Sequence, residues 1–155
     1  MLYQSMLGGE MLEICPVESA GTRFALPERD VIDVLTLDDD RTIEQISGVL
    51  SMTMAGGRHR PLIRLRDVLC QPSAPAGNAV VMLRVGAQLF GLLVDQASEP
   101  CRAVVLPMVD AAPALSTFTQ LVRLDDGSDV AVLGIANLAL SIRRGDTPAG
   151  LNLAA

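Results

Sequence analysis

The sequence has no lysine, no tryptophan, one histidine and one tyrosine. A phosphate-binding P-loop ends in Gly-Lys and is therefore excluded. The histidine, His59, stands among Gly57, Arg58 and Arg60. A catalytic triad or acid–base pair would need a nucleophile or carboxylate beside it, so His59 reads as an exposed turn residue. No G-x-S-x-G motif occurs. The three cysteines, Cys15, Cys70 and Cys101, lie far apart with no C-x-x-C. An odd count without a leader fits a reducing compartment, and all three are expected to be buried small hydrophobes. No metal or cofactor is expected. Aromatics are only 3% of residues, so the core must be built from Val, Leu, Ile, Ala and Met, and the stacking side chains of RNA sites are missing. No apolar run reaches the roughly 20 residues of a membrane span; uncharged runs such as residues 45–57 and 71–83 are 13 residues. The N-terminal decapeptide has no basic region and does not read as a signal peptide. These absences point to a cytoplasmic, non-enzymatic protein that does not insert in membranes.

What is present is apolar and acidic. The 155 residues suffice for one domain or two small halves sharing a core. Half of them are hydrophobic, the net charge is −6, and all twelve cationic residues are arginine. A pI near 4.6 disfavours nucleic acid and anionic membranes as partners. The mean hydropathy of +0.38 without a spanning segment implies exposed apolar patches, which mark protein interfaces.

Alternation and turn residues predict many short strands. Residues 11–19 and 23–26 form a hairpin about Ala20-Gly21-Thr22, with Pro16 near an edge or bulge. Residues 31–35 have the i, i+3, i+4 spacing of a helical turn but β-branched content, and either structure fits. The triple Asp38–Asp40 lacks the alternation of a calcium loop and reads as a polar loop. Residues 49–54 and 59–65 are strands joined by a glycine turn, with Pro61 near an edge; residues 67–70 close them as a short helical turn. Residues 71–78 (QPSAPAGN) form a linker. Residues 79–85 and 88–94 are a hairpin of two apolar runs, and the latter, apolar on both faces, is expected to be buried between layers. Asp95 at its end is expected to hydrogen-bond a neighbouring turn rather than act as an acid. Residues 102–106 form a further strand, residues 109–116 a loop, residues 121–124 and 130–135 a hairpin about Asp126-Gly127, and residues 135–142 a short helix. Strands every 8–12 residues predict an all-β sandwich or small barrels.

The one basic cluster is Arg58, Arg60, Arg64 and Arg66. In a strand the last three share parity, interrupted by Leu62, and could line one face as a solvated surface or as a site for a partner's carboxylates.

Four stretches, in order, resemble the CheW-like domain of bacterial chemotaxis, found in the adaptor CheW and the kinase CheA. Arg23-Phe24-Ala25-Leu26-Pro27 with Val31 and Val34 is similar to the family's opening. Gly48-Val49-Leu50, Gly57 and Pro61-Leu62-Ile63-Arg64-Leu65 resemble its central segment. Phe90-Gly91-Leu92-Leu93-Val94-Asp95 resembles its Gly-Leu-hydrophobic-Val-Asp strand, the most specific of the four. Asp126-Gly127 with residues 130–133 resembles the closing hairpin. Three features depart from the family: Gly56 replaces the Arg before Gly57, the stretch from Gly48 to Pro61 is longer, and Gly134 replaces a closing Asp. PLIRLRDVL is nearer the kinase version, although no phosphotransfer histidine or ATP-binding fold accompanies it.

The resemblance implies an all-β fold of two small five-stranded SH3-like barrels with a few short helices. The domain would span residues 11–142, between tails at 1–10 and 143–155. It also implies a non-catalytic adaptor joining a chemotaxis-type histidine kinase to the cytoplasmic tips of chemoreceptors. The partner-binding region maps to Met52, Met54, Gly57, Arg58 and Arg60. Met52 and Met54 share one strand face, which is either core or an adaptable apolar surface rimmed by Arg58 and Arg60. The alternatives are a small β-barrel enzyme or metal-binding module, and an inhibitory regulator that competes with a true adaptor.

Overall fold

The first hairpin forms where alternation and turn chemistry place it: β1 (Met11–Ser19) and β2 (Thr22–Pro27). Ala20 (φ 52°) and Gly21 (φ 82°) are both left-handed, as a tight two-residue hairpin turn requires. The computed structural model describes residues 10–37, 43–46, 49–53, 57–71, 79–107 and 117–143. Both predicted tails apart from Glu10 and Arg143, the Asp38–Asp40 loop, residues 72–78 and the loop at 109–116 fall outside them.

A 3-10 turn (Glu28–Asp30) leads to β3 (Val31–Thr36), which resolves the ambiguous segment as strand. Its partner decides it: Asp33 to Thr36 pair with Met82 to Ala79, and β-branched side chains suit that pleated surface. The chain continues through β4 (Ile43–Ile46), β5 (Val49–Thr53), β6 (His59–Arg64), α1 (Leu65–Val68), β7 (Ala79–Val85), β8 (Gln88–Val94) and β9 (Gln96–Ala97). It closes with β10 (Cys101–Leu106), β11 (Phe118–Arg123), β12 (Asp129–Leu133) and α2 (Ile135–Arg143).

The fold is all-β, two SH3-like units with two short α-helices among the described residues. In the first, β10-β11-β12-β2-β1 closes into a five-stranded barrel through the β1–β10 pair, with β9 added beside β1. The second is a six-stranded sheet, β3-β7-β8-β6-β5-β4. The chain crosses between units after β2 and again after β8, so the second unit is inserted into the first. Residues 71–78 join α1 to β7 within the second unit.

Pro16 and Pro61 both lie where a strand changes partners. In β1 the β10 ladder ends at Ile14 and the β9 ladder begins at Val17. Pro16, between them, gives up no ladder bond, and its carbonyl accepts the Ser98 N–H at 2.9 Å. In β6, Pro61 is the last residue paired to β5 before Leu62 begins the parallel ladder with β8.

Three apolar clusters fill this frame. Ile14, Ala25, Ala103, Val122, Leu124, Val130 and Val132 fill the first barrel. Met52, Leu62, Val80, Met82 and Leu93 fill the second unit. The largest lies between the units: Cys15, Val17, Phe24, Leu26 and Leu133 from the first, Ile63, Leu65, Val81, Leu83, Phe90, Leu92 and Val94 from the second. Helix α2 seals it with Ile135, Leu138 and Ala139, one stripe at i, i+3, i+4. Along β7 and β8 alternate residues therefore serve different cores, so both strands are apolar on both faces, as expected for residues 88–94.

A polar clamp ties the units at one edge of the shared core. The Ala20 N–H donates to Asp95 Oδ2 at 2.9 Å, and the Asp95 N–H to the Glu18 carbonyl at 2.9 Å. Arg66 Nη2 reaches both Asp95 oxygens at 2.9 and 2.8 Å. Ser19 Oγ donates to Gln71 Oε1 at 2.7 Å, while Gln71 Nε2 donates to the Ser19 carbonyl at 3.1 Å. Asp95 thus does bind a neighbouring turn, and it supports the one that holds Ala20 in a conformation costly for a residue with a Cβ.

Two predictions follow from these contacts. A Cβ on Gly91 would lie 2.8 Å from Val80 Cγ1 and 2.9 Å from Leu62 Cδ1. Gly91→Ala should therefore cost about 1–3 kcal/mol by overpacking the second unit; an unchanged urea midpoint would contradict this. Desolvation raises the Asp95 carboxyl, but the Arg66 hydrogen bonds, the Ala20 N–H and the Arg66 charge outweigh it and hold the group below the usual carboxylate range. A lowered folded pKa gives stability that is full above the unfolded value of about 3.9 and is lost as pH falls through the folded one. Asp95→Asn should be about 1–3 kcal/mol less stable than wild type at pH 7. The gap should narrow on acidification below the unfolded value, as read from urea unfolding across pH. A gap independent of pH would remove the carboxylate charge as its source.

Candidate functional site

The residues nominated by the sequence lie on and beside β5 and β6, at the end of the second unit where Gly57 (φ 80°) turns the chain into β6. Met52 does not reach the surface. It is fully buried in the core of the second unit, paired with Ile43 on one side and Arg60 on the other. Its strand face points inward, so the core alternative holds for it; Met54 lies outside the described residues. Gly57 and Arg58 are exposed and Arg60 is half-buried. Of the nominated residues that are described, those that reach the surface are Gly57 and the cationic pair Arg58 and Arg60.

The expected arginine row breaks at Leu65, where strand gives way to α1 and the period of two no longer applies. Arg64 stays exposed, 4.0 Å from Asp67, and Arg66 turns to Asp95 at 2.8 Å with its side chain only 15% exposed. Arg66 is therefore part of the clamp, while Arg58 and Arg60 stay together.

A third arginine that the sequence reading passed over belongs with them. Leu62 pairs with Gly91 where the parallel β6–β8 ladder begins, and Arg60 and Leu89 lie two residues before that pair, at the same end of the two strands. Leu89 is itself paired with Arg84 of β7. Alternation sets all three on the inward face of the second unit, beyond its last core residues, so they rim its mouth. Arg84 had one sequence signal, as the only charge in residues 79–94.

The chemistry at the other candidates is sparse. His59 is exposed, with Nδ1 3.4 Å from Thr53 Oγ1. Cys15 is buried, and Cys101 partly so; burial pushes both thiols up and keeps them protonated, nearby acidic groups adding to it. Cys70 departs from the expectation of burial and is exposed. It caps α1 in the left-handed conformation (φ 53°), with Gln71 N–H bonding the Arg66 carbonyl at 2.9 Å and Cys70 N–H the Asp67 carbonyl at 3.2 Å. That cap turns the Cys70 side chain outward and sets Gln71 against Ser19. Among the described residues no cluster of three or more His, Cys, Asp or Glu side chains could hold a metal, and no helix is long and apolar enough to cross a membrane.

Comparison with solved structures gives the scaffolding protein TtCheW from Thermoanaerobacter tengcongensis, with a TM-score of 0.61. At 18% identity it covers 80% of this chain and 89% of its own, a likeness of fold. No curated protein sequence matches. The sequence profile of the CheW-like domain matches residues 13–143. That match takes in both SH3-like units and the helix that seals them, and the chain belongs to the CheW-like domain family.

Proposed function

We propose that this protein is a non-catalytic adaptor of chemotaxis-type signalling that couples a histidine kinase to the cytoplasmic tips of chemoreceptors by binding both. The observation that carries this reading is the match of residues 13–143 to the CheW-like domain, on a fold shared with a protein described as a scaffold. The domain would run over residues 11–142 and act in the cytoplasm. The physical features agree with binding rather than turnover: among the described residues the lone histidine meets the Thr53 hydroxyl and no carboxylate, and burial keeps the Cys15 thiol protonated. Within the nominated region, Gly57, Arg58 and Arg60 form the contact surface, while Met52 supports it from the core.

Co-sedimentation of the purified chain with the histidine kinase and chemoreceptor fragments of its own cell tests the reading. Wild type should bring down both together. Arg58→Glu should weaken capture by about tenfold without changing the circular dichroism melt, because charge reversal at an exposed rim penalises association rather than folding. Failure of wild type to bind either fragment would overturn the adaptor reading. Undiminished capture by Arg58→Glu would move the interface away from the β5–β6 turn.

A further inference from the structure

Nine arginines lie among residues with described side chains, and five of them face carboxylates at 2.8–4.0 Å: Arg23, Arg64, Arg66, Arg102 and Arg123. The other four, Arg29, Arg58, Arg60 and Arg84, have no ion-pair partner among the described residues, and all but Arg29 lie at one end of the second unit. An acidic chain has carboxylates to spare, yet none of those on the described residues pairs with the three cations at one mouth of the second unit. Between two of them stands Leu89, half-buried but part of none of the three cores.

We infer that this mouth is a docking site for an acidic segment of a partner protein, with Leu89 taking an apolar side chain and Arg60 and Arg84 each taking a carboxylate. The inference rests on the adaptor reading and extends it, since it adds Arg84 and Leu89 and specifies the partner's chemistry. Charge complementarity selects the occupant. Guanidinium groups match carboxylates with paired donors, and three unpaired ones keep that capacity. A long polyanion is disfavoured by the net charge of −6, which repels it everywhere but here. Single-stranded nucleic acid would also need stacking partners, but among the described residues Phe24 and Phe118 stack on each other and Phe90 is fully buried.

The strand order gives a spacing. Arg60 on β6 and Arg84 on β7 lie on either side of β8, so their backbones are about 9.5 Å apart or more. On a helix, residues i and i+7 are separated by about 10.5 Å along the axis. The segment that fits is a helix with Glu or Asp at i and i+7 and Leu or Met at i+3 or i+4 between them. Arg58, two residues before Arg60 on the chain, extends the cationic rim for a further acidic residue.

The test is a nitrogen-15 NMR titration of the full chain with a 20-residue alanine-based helical peptide carrying Glu at i and i+7 and Leu at i+3. The control peptide has Gln in place of both Glu residues. The expected result is saturable shifts at Arg58, Arg60, Arg84 and Leu89. Binding should be about tenfold weaker for the Gln peptide and for Arg84→Glu, and Arg84→Lys should retain part of it. Arg84→Gln serves where the charge reversal disturbs the spectrum. Shifts that map elsewhere, equal binding of the Gln peptide, or the same shifts from inorganic phosphate at equal concentration would overturn the inference. The capture assay separates the two readings. Kinase and receptor captured undiminished by Arg60→Glu/Arg84→Glu would sink this site and leave the adaptor standing. A wild-type chain that binds the Glu peptide through these residues but captures neither fragment would sink the adaptor and leave the site.

Discussion

The two units are held by the apolar sheet faces they turn towards each other. Seven of the fifteen buried residues in the shared core come from the second unit, five from the first barrel and three from α2. Each fully buried Leu, Phe or Ile stabilises by about 1.5–3 kcal/mol relative to exposure, so together these residues outweigh any single polar contact. Separating the units would expose the outer faces of β1, β2, β7 and β8 at once. The consequence reaches inward, because β7 and β8 already give their other faces to the second unit's own core. Two of the three cores thus depend on the same two strands, and their near-complete apolarity follows from that position.

Hydrophobic burial has no direction, and a second interaction fixes how the units sit. The Asp95 carboxylate joins the end of β8, the β1–β2 turn and α1 through Arg66, while the Schellman cap of α1 sets Gln71 on Ser19. Energetically the clamp is worth a few hydrogen bonds. Geometrically it aligns three chain segments that converge from both units and supports a turn with two left-handed residues. It also consumes the Asp95 carboxylate, the kind of group that chemistry would otherwise employ.

The mouth of the second unit is the reverse case. There the strand order brings Arg60 and Arg84 to either side of β8 at one end of the sheet, and no carboxylate of the described residues pairs with them. Elsewhere arginine meets acid within the fold, as Arg23 meets Asp126 at 3.0 Å and Arg123 meets Asp129 at 2.8 Å. An adaptor needs rigid elements to present its contacts, and strands anchored on Met52, Leu62 and Met82 provide them.

The sequence by itself determined the strands, because a period of two and the turn residues act locally: β1 with β2, β7 with β8 and β11 with β12 all form where alternation and Gly or Asp-Gly turns predict. It also determined the family, through four ordered motifs, and the role of Asp95 at a strand end beside a turn. What only the tertiary structure decided was which apolar face meets which. Met52 and a surface Met have the same local pattern, and it is the inward curl of the second sheet that buries one. The strand nature of residues 31–36 came from pairing with β7, since their spacing and their β-branching pull in opposite directions. Arg66 left its row because the strand ended at Leu65, and Cys70 was exposed by a helix cap. Arg84 joined Arg60 across β8 from 24 positions away in sequence. Local physics sets which residues lie on one face of an element, but long-range register alone sets what that face is next to.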